Sequence, residues 1–216
     1  MTEAVVAFDL DGTLIDSAPD IHAIANRVLA AEGLAPLSMA EARNFLGRGA
    51  ANFVAQMRDA RGIPESEQAQ LLAAFLGHYQ GAVGLTRLYP GVVPALEALQ
   101  ADGHRLVLCT NKPEAPTRFV LDHFGLARFF GIVVGGDTLP VRKPDPAPLT
   151  AAWGTLKGTR IFVGDSEIDA ETAQAAGVPF LLYTEGYRKT PVEALPHRAA
   201  FADFAALPGL VRDLAG

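Results

Sequence analysis

The stretch "VVAFDLDGTLIDS", residues 5–17, decides how the rest of the chain is read. An apolar run of strand type stops at Asp9, a second carboxylate follows at Asp11, and Gly12 breaks the chain. Consecutive apolar positions suit a strand buried on both faces, as in a parallel sheet covered by helices. Acids at the end of such a strand stand where open α/β sheets bind ligands, beyond the carboxyl ends of the strands. Asp is also common in turns and at helix starts, so the pair gains meaning only from what the other strand ends carry.

The run "AVVAFD" (4–9) has four partners of the same type: "RLVLCT" (105–110), "GIVVGG" (131–136), "RIFVGD" (160–165) and "PFLLYT" (179–184). Amphipathic segments such as "EAPTRFVLDHFGL" and "EIDAETAQAAG" separate the later ones. This alternation predicts an α/β fold with a parallel sheet. One interval breaks the rhythm: about 95 residues separate Asp9 from the strand at 105, whereas a βαβ crossover takes about 30. Within it "APDIHAIANRVLAAEG", "MAEARNFL", "AANFVAQMRDARG" and "ESEQAQLLAAFLGHYQ" carry apolar residues at helical spacing with no strand between them,. An all-helical insert over 16–85 follows, with an α/β core made of 1–15 and 86–216. Pro90 and Gly91 turn the chain back into the core, and a helix is expected from Val92 onward,.

Composition narrows the class of function. Half of the 216 residues are hydrophobic and the formal net charge is −6, so a sizeable core is available. With no Lys/Arg-rich stretch a nucleic-acid partner is not expected. No apolar run approaches the roughly 18 residues of a membrane span and no secretory leader is visible, so a cytoplasmic protein without a membrane partner is expected. The single cysteine, Cys109, lies in a strand-like run and reads as a buried structural thiol,. His22, His78, His104, His123 and His197 lack metal-ligand spacing and read as surface or helix-end residues,.

Taken together, the strand ends offer carboxylates at Asp9, Asp11, Asp165 and Asp169, a hydroxyl at Thr110 and an ammonium at Lys143. Four carboxylates at one sheet edge repel one another unless a hard cation sits among them, and an oxygen-only set suits Mg²⁺. Lys143 and Thr110 then call for an anion, and a phosphate held between Mg²⁺ and Lys143 satisfies every group.

In order and spacing, "DLDGT" (9–13), "TN" (110–111), Lys143 in "GGDTLPVRKPDP" and "GDSEIDAETAQAAG" (164–177) resemble the four motifs of the haloacid dehalogenase superfamily of aspartate-nucleophile phosphatases. The likeness covers nearly the whole chain and, within the superfamily, is strongest to bacterial phosphoglycolate phosphatases. It implies a Rossmann-like core with a small helical cap inserted after the first strand, and a small phosphorylated metabolite as substrate. It further implies Asp9 as nucleophile, a group already ionised at neutral pH, and Asp11 as general acid and base. Mg²⁺ would be held by the carboxylates of Asp9 and Asp165 and the backbone carbonyl of Asp11, with Asp169 orienting a metal-bound water. Thr110, the amide of Asn111 and Lys143 would hold the phosphoryl oxygens. Lys112 and Lys157 are expected to be solvated surface charges.

In the insert, Gly47 and Gly49 flank Arg48 within "FLGRGAANF" (45–53). A guanidinium there suits the carboxylate of phosphoglycolate, which makes Arg48 the expected specificity contact; a solvated loop arginine is the plain alternative. A nucleotide reading of "GRGAAN" fails, since a third glycine and a preceding strand are missing. A receiver domain would need an acid at the end of the strand at 105–110. A metal-free dehalogenase would lack Asp11, and a phosphonate hydrolase would need a cap lysine, of which 16–88 has none. A broad-specificity sugar-phosphate phosphatase and a β-phosphoglucomutase-like enzyme share the core residues and stay open.

Overall fold

The first strand, β1 (Ala4–Phe8), is buried along its whole length. In this computed structural model, which describes residues 3–216, alternate side chains of β1 feed two separate cores. Ala4, Val6 and Phe8 join one cluster and Val5 and Ala7 the other. The strands β4 (Arg105–Cys109) and β6 (Thr159–Gly164) divide in the same way, with Leu106, Leu108, Ile161 and Val163 on one face and Val107, Cys109 and Phe162 on the other. That two-sided burial is why these strands read as continuous apolar runs instead of alternating ones. Residues 1 and 2 of the expected core segment lie outside the described residues.

With β5 (Phe130–Val134), β7 (Phe180–Tyr183) and β8 (Ala199–Phe201), these strands form a six-stranded sheet in the order β5-β4-β1-β6-β7-β8. Every neighbouring pair is parallel. Helices α5 (Val92–Ala101), α6 (Glu114–His123) and α9 (Leu207–Ala215) cover the Phe8 face, through residues such as Leu96, Val120 and Val211. Helices α7 (Ala147–Trp153) and α8 (Glu167–Ala176) cover the opposite face through Leu149, Trp153 and Ala173. The chain works outward from β1 to β5, then returns to β6 and works outward the other way. The order therefore reverses between β1 and β6, and such a switch point opens a crevice at the carboxyl ends of the strands.

The helical insert is present as α1 (Ala18–Ala31), α2 (Met39–Phe45), α3 (Ala50–Ala60) and α4 (Gln68–Tyr79). It has an apolar cluster of its own, including Ile24, Leu29, Phe53, Met57, Leu71 and Phe75. Two short strands, β2 (Ile15–Asp16) and β3 (Arg87–Leu88), pair antiparallel where the chain leaves and re-enters the core. Two-residue strands have no periodicity to read, and neither they nor β8 was expected. His104 follows α5 and is buried, its Nδ1 accepting from the backbone N–H of Ala4 at 3.2 Å.

At this junction a single carboxylate does most of the tying. Asp20 Oδ2 accepts from Leu85 N at 3.0 Å, Thr86 N at 2.7 Å and Thr86 Oγ1 at 2.6 Å. Removing it strands two N–H groups and a hydroxyl in a largely buried place. Asp20→Ala is expected to lower stability by about 2 to 3 kcal/mol, which for a chain of this size lowers Tm by roughly 4 to 12 °C. Thermal and urea unfolding check this, and a change below about 0.5 kcal/mol would show that the junction is held elsewhere.

Candidate active site

At the switch point, Asp9 directly follows β1, Asp165 directly follows β6, and Asp169 lies in the first turn of α8. All three are buried, and one oxygen from each lies within 4.8 Å of the others. Among the described residues the only cation at this cluster is Lys143, from the loop between β5 and α7. Its Nζ stands 2.7 Å from Asp169 Oδ1 and 2.9 Å from Asp9 Oδ1. Asp9 Oδ1 thus has the Lys143 ammonium beside it and no hydrogen bond from any other group.

Three carboxylates against one ammonium leave an excess of two negative charges in a buried space. Burial pushes the Asp9 carboxyl up to about 6; Lys143 opposes the shift and Asp169 adds to it. Asp165 is raised well above the usual carboxylate range by burial, then by Asp169 and Asp9. Burial alone would lower Lys143, but Asp169 and Asp9 outweigh it and hold the ammonium charged. A divalent cation among these oxygens would supply the missing positive charge, and the all-oxygen donor set fits a hard ion.

Asp169 divides its two oxygens between two tasks. While Oδ1 meets Lys143, Oδ2 accepts from Ser166 N at 3.1 Å, Ser166 Oγ at 2.7 Å and Asp165 N at 3.3 Å. The start of α8 therefore also fixes the backbone of Asp165. The Asp165 carboxylate accepts from Thr13 Oγ1 at 2.8 Å and from Tyr187 N at 2.6 Å. Gly12, at φ +88°, passes so close that a Cβ there would lie 2.4 Å from Asp165 Oδ2. Positive φ and this close approach together require glycine.

Asp11, just past Asp9, turns toward the insert. Ser17 Oγ donates to its Oδ1 at 2.5 Å, and Lys112 Nζ lies 3.2 and 3.4 Å from its two oxygens. Lys112 also donates to Tyr79 Oη, at the end of α4, at 2.8 Å. The expectation of a solvated Lys112 is thus wrong: the residue is 6 % exposed. The loop after β4 folds inward, and the sequence gives no period there to show it. Lys157 is exposed as expected.

Asn111 Nδ2 donates to Gly47 O at 2.9 Å and to Lys143 O at 3.0 Å. Its side-chain N–H groups are therefore committed to joining the insert loop, the β4 loop and the Lys143 loop, and its backbone N–H is the amide left for an anion. Gly49, at φ +84°, brings the insert loop so near that a Cβ would lie 3.2 Å from Asn111 O. Two spaces meet at Asp9 and Asp11. One is small, bounded by Thr110, Asn111, Lys112, Ile21, Phe53 and Tyr79; it leaves about 40 Å³ for the centres of water molecules, room for a few waters or a small organic group. The other is larger, with Asp165, Glu167, Glu171, Tyr187 and Lys189 on its walls. Arg48 is exposed and borders this second space, not the first.

Comparison with known proteins agrees with this geometry. Residues 4–177 match the model of the haloacid dehalogenase-like hydrolases. A phosphoglycolate phosphatase of Cereibacter sphaeroides is 49 % identical over 213 residues, covering 97 % of this chain and 98 % of the relative. One from Rhodobacter capsulatus is 49 % identical over 207 residues, 94 % of each chain. Among solved structures, a predicted phosphoglycolate phosphatase from Haemophilus somnus 129PT superposes with a TM-score of 0.92 at 31 % identity, over 98 % of this chain and 99 % of the other. No helix among the described residues is long and apolar enough to cross a membrane. A six-stranded parallel sheet, a helical insert after its first strand, buried acids at the switch point and these likenesses lead to one conclusion: the chain belongs to the haloacid dehalogenase-like hydrolases.

Proposed function

We propose that the chain is a Mg²⁺-dependent phosphomonoesterase that hydrolyses 2-phosphoglycolate to glycolate and phosphate through an aspartyl phosphate at Asp9. The observation that carries this reading is the buried Asp9 carboxylate, whose Oδ1 has only the Lys143 ammonium beside it and which lines the smaller space. The named activity of relatives about half identical over nearly the whole length supplies the substrate. A small space with room for only a few waters favours a two-carbon acid over the hexose of a sugar-phosphate phosphatase or a mutase,. Residues 16–85 act as the cap over a core of 1–15 and 86–216.

In the first step an Asp9 oxygen attacks phosphorus, the ester bond breaks, and the leaving glycolate oxygen takes a proton from Asp11 in its acid form. In the second, water attacks the same phosphorus, gives a proton to the Asp11 carboxylate, and frees Asp9 with release of phosphate. Ser17 and Lys112 fix the direction of the Asp11 carboxylate toward the reacting oxygen. Lys143, Thr110 Oγ1 and the Asn111 backbone N–H hold the phosphoryl oxygens, where charge spreads in a loose transition state. Asp9, Asp165 and the backbone carbonyl of Asp11 would hold Mg²⁺. When bound, the ion offsets the excess negative charge of the acids and of the phosphoryl group. Asp169 anchors Lys143 and the Asp165 backbone beside that site. Arg48, at the rim of the larger space, attracts the anionic substrate as it enters,.

Asp9→Asn is expected to abolish turnover, because an amide does not attack phosphorus; a few per cent of the parent kcat in the purified variant would remove Asp9 from the role. Asp11→Asn should lose about 10² to 10⁴ in kcat while still binding inorganic phosphate, and equal loss of phosphate binding would contradict the acid–base assignment. Chelation with EDTA should silence the enzyme and Mg²⁺ should restore it. In calorimetry Mg²⁺ at a hundred times its Kd should stabilise the parent by about 2.7 kcal/mol, and Asp165→Asn should lose that gain. An unchanged gain in the variant would place the ion elsewhere.

A further inference from the structure

The smaller space beside Asp9 has a feature that hydrolysis of the ester alone does not use. Its walls are largely apolar, with Ile21, Leu46, Phe53 and Phe75 among them, yet Lys112 brings an ammonium to it and Tyr79 a phenol. Among the described residues Lys112 is the only cationic one on those walls. The Lys112 side chain is 3 % exposed, and a buried ammonium demands partners. Tyr79 Oη at 2.8 Å and the two Asp11 oxygens at 3.2 and 3.4 Å supply them, and the long contacts to Asp11 leave the ammonium able to share an N–H with an incoming anion. Tyr79 accepts from Lys112, so its own O–H proton is free to be donated elsewhere. Burial pushes that phenol up to about 12 despite the nearby ammonium, with Asp11 adding to the rise, so the proton is kept. Two donors, one of them charged, thus meet in the wall of a small, largely apolar space that Asp9 also lines.

We propose that Lys112 and Tyr79 bind the carboxylate of the substrate and are the residues that select a short phosphorylated acid. The assignment rests on the phosphoglycolate reading above and deepens it. With the phosphoryl group at Asp9, Thr110 and Lys143, an organic group extending into the smaller space meets the O–H of Tyr79 and the Lys112 ammonium, which exchanges its 3.4 Å contact with Asp11 for the new anion. A charged and a neutral donor on one carboxylate form a strong, directional contact. The larger space is a poorer place for that carboxylate, since Glu167 and Glu171 there offset Arg48 and Lys189. Tyr79 belongs to α4 and Lys112 to the core, so the contact also requires the insert to be closed on the sheet.

The test compares 2-phosphoglycolate with ethyl phosphate, a two-carbon ester without the carboxylate, in the parent, Lys112→Met, Tyr79→Phe and Arg48→Ala. Lys112→Met should lose kcat on both esters through Asp11. Its preference for phosphoglycolate in kcat/KM should fall at least tenfold further, mainly in KM, and the glycolate inhibition constant should rise about as much while that of phosphate stays within threefold. Tyr79→Phe, which keeps Lys112 and Asp11 together, should reduce the same preference three- to tenfold; it reports even where Lys112→Met fails to fold. Arg48→Ala should keep the preference. A preference unchanged in Lys112→Met or in Tyr79→Phe, or lost in Arg48→Ala, would overturn the assignment and leave the hydrolase reading standing. A parent that hydrolyses ethyl phosphate but not phosphoglycolate would overturn the substrate reading and this assignment with it.

Discussion

Three carboxylates and one ammonium are buried together at the switch point of the sheet, and the rest of the site is organised around that imbalance. An isolated buried carboxylate is costly enough that it normally takes up a proton, and the upward shifts of Asp9 and Asp165 show the pressure in this direction. The protein relieves part of it locally. Asp169 gives one oxygen to Lys143 and the other to the start of α8, and Asp165 is held by Thr13 and the Tyr187 backbone. Asp9 Oδ1 has only the Lys143 ammonium beside it. The remaining deficit of positive charge is what a divalent cation would fill, and the Asp9 carboxylate is what an electrophilic phosphorus would meet.

The same network ties the helical insert to the chemistry. Asn111 links Gly47 of the insert to the backbone of Lys143. Lys112 links Tyr79 of α4 to Asp11. Tyr187 donates its backbone N–H to Asp165, while its hydroxyl donates to Asp16 and accepts from the N–H groups of Ser17 and Ala18. Motion of the insert away from the sheet would break the first two links and enlarge the smaller space, whereas Tyr187 and Asp20 sit at the base, where the chain enters and leaves. Closure and assembly of the site are therefore one event, which suits a reaction that must first exclude bulk water and then admit a single molecule of it.

Much of this was legible in the sequence because the sheet writes itself as apolar runs whose ends carry the reactive groups. Asp9, Thr110 and Asp165 each stand one residue beyond a strand, and the long strand-free interval announced the insert. The helical boundaries there were readable from spacing, and α1 to α4 fall within 16–85. What stayed hidden depends on contacts between elements. Lys112 reads as one more surface lysine until β4 and α4 are set side by side, and the side-chain bonds of Asn111 need three loops in place. Tyr187 lies in a loop with no periodic signal, and β8, with three residues beyond an irregular stretch, is too short to stand out. Arg48 was found from its glycines, but which of the two spaces it borders is a matter of how the loop packs.

The central claim is that Asp9, and no other acid of the cluster, becomes covalently phosphorylated. Mixing the protein with phosphoglycolate and Mg²⁺ on the millisecond scale, quenching, and reducing with borohydride converts an aspartyl phosphate into homoserine, which peptide mass spectrometry locates. The account predicts homoserine at position 9 alone, formed only when substrate is present and accumulating more in Asp11→Asn than in the parent if the second step is the slower one. Homoserine at position 11, 165 or 169, or its complete absence from protein that is releasing phosphate, would contradict the account.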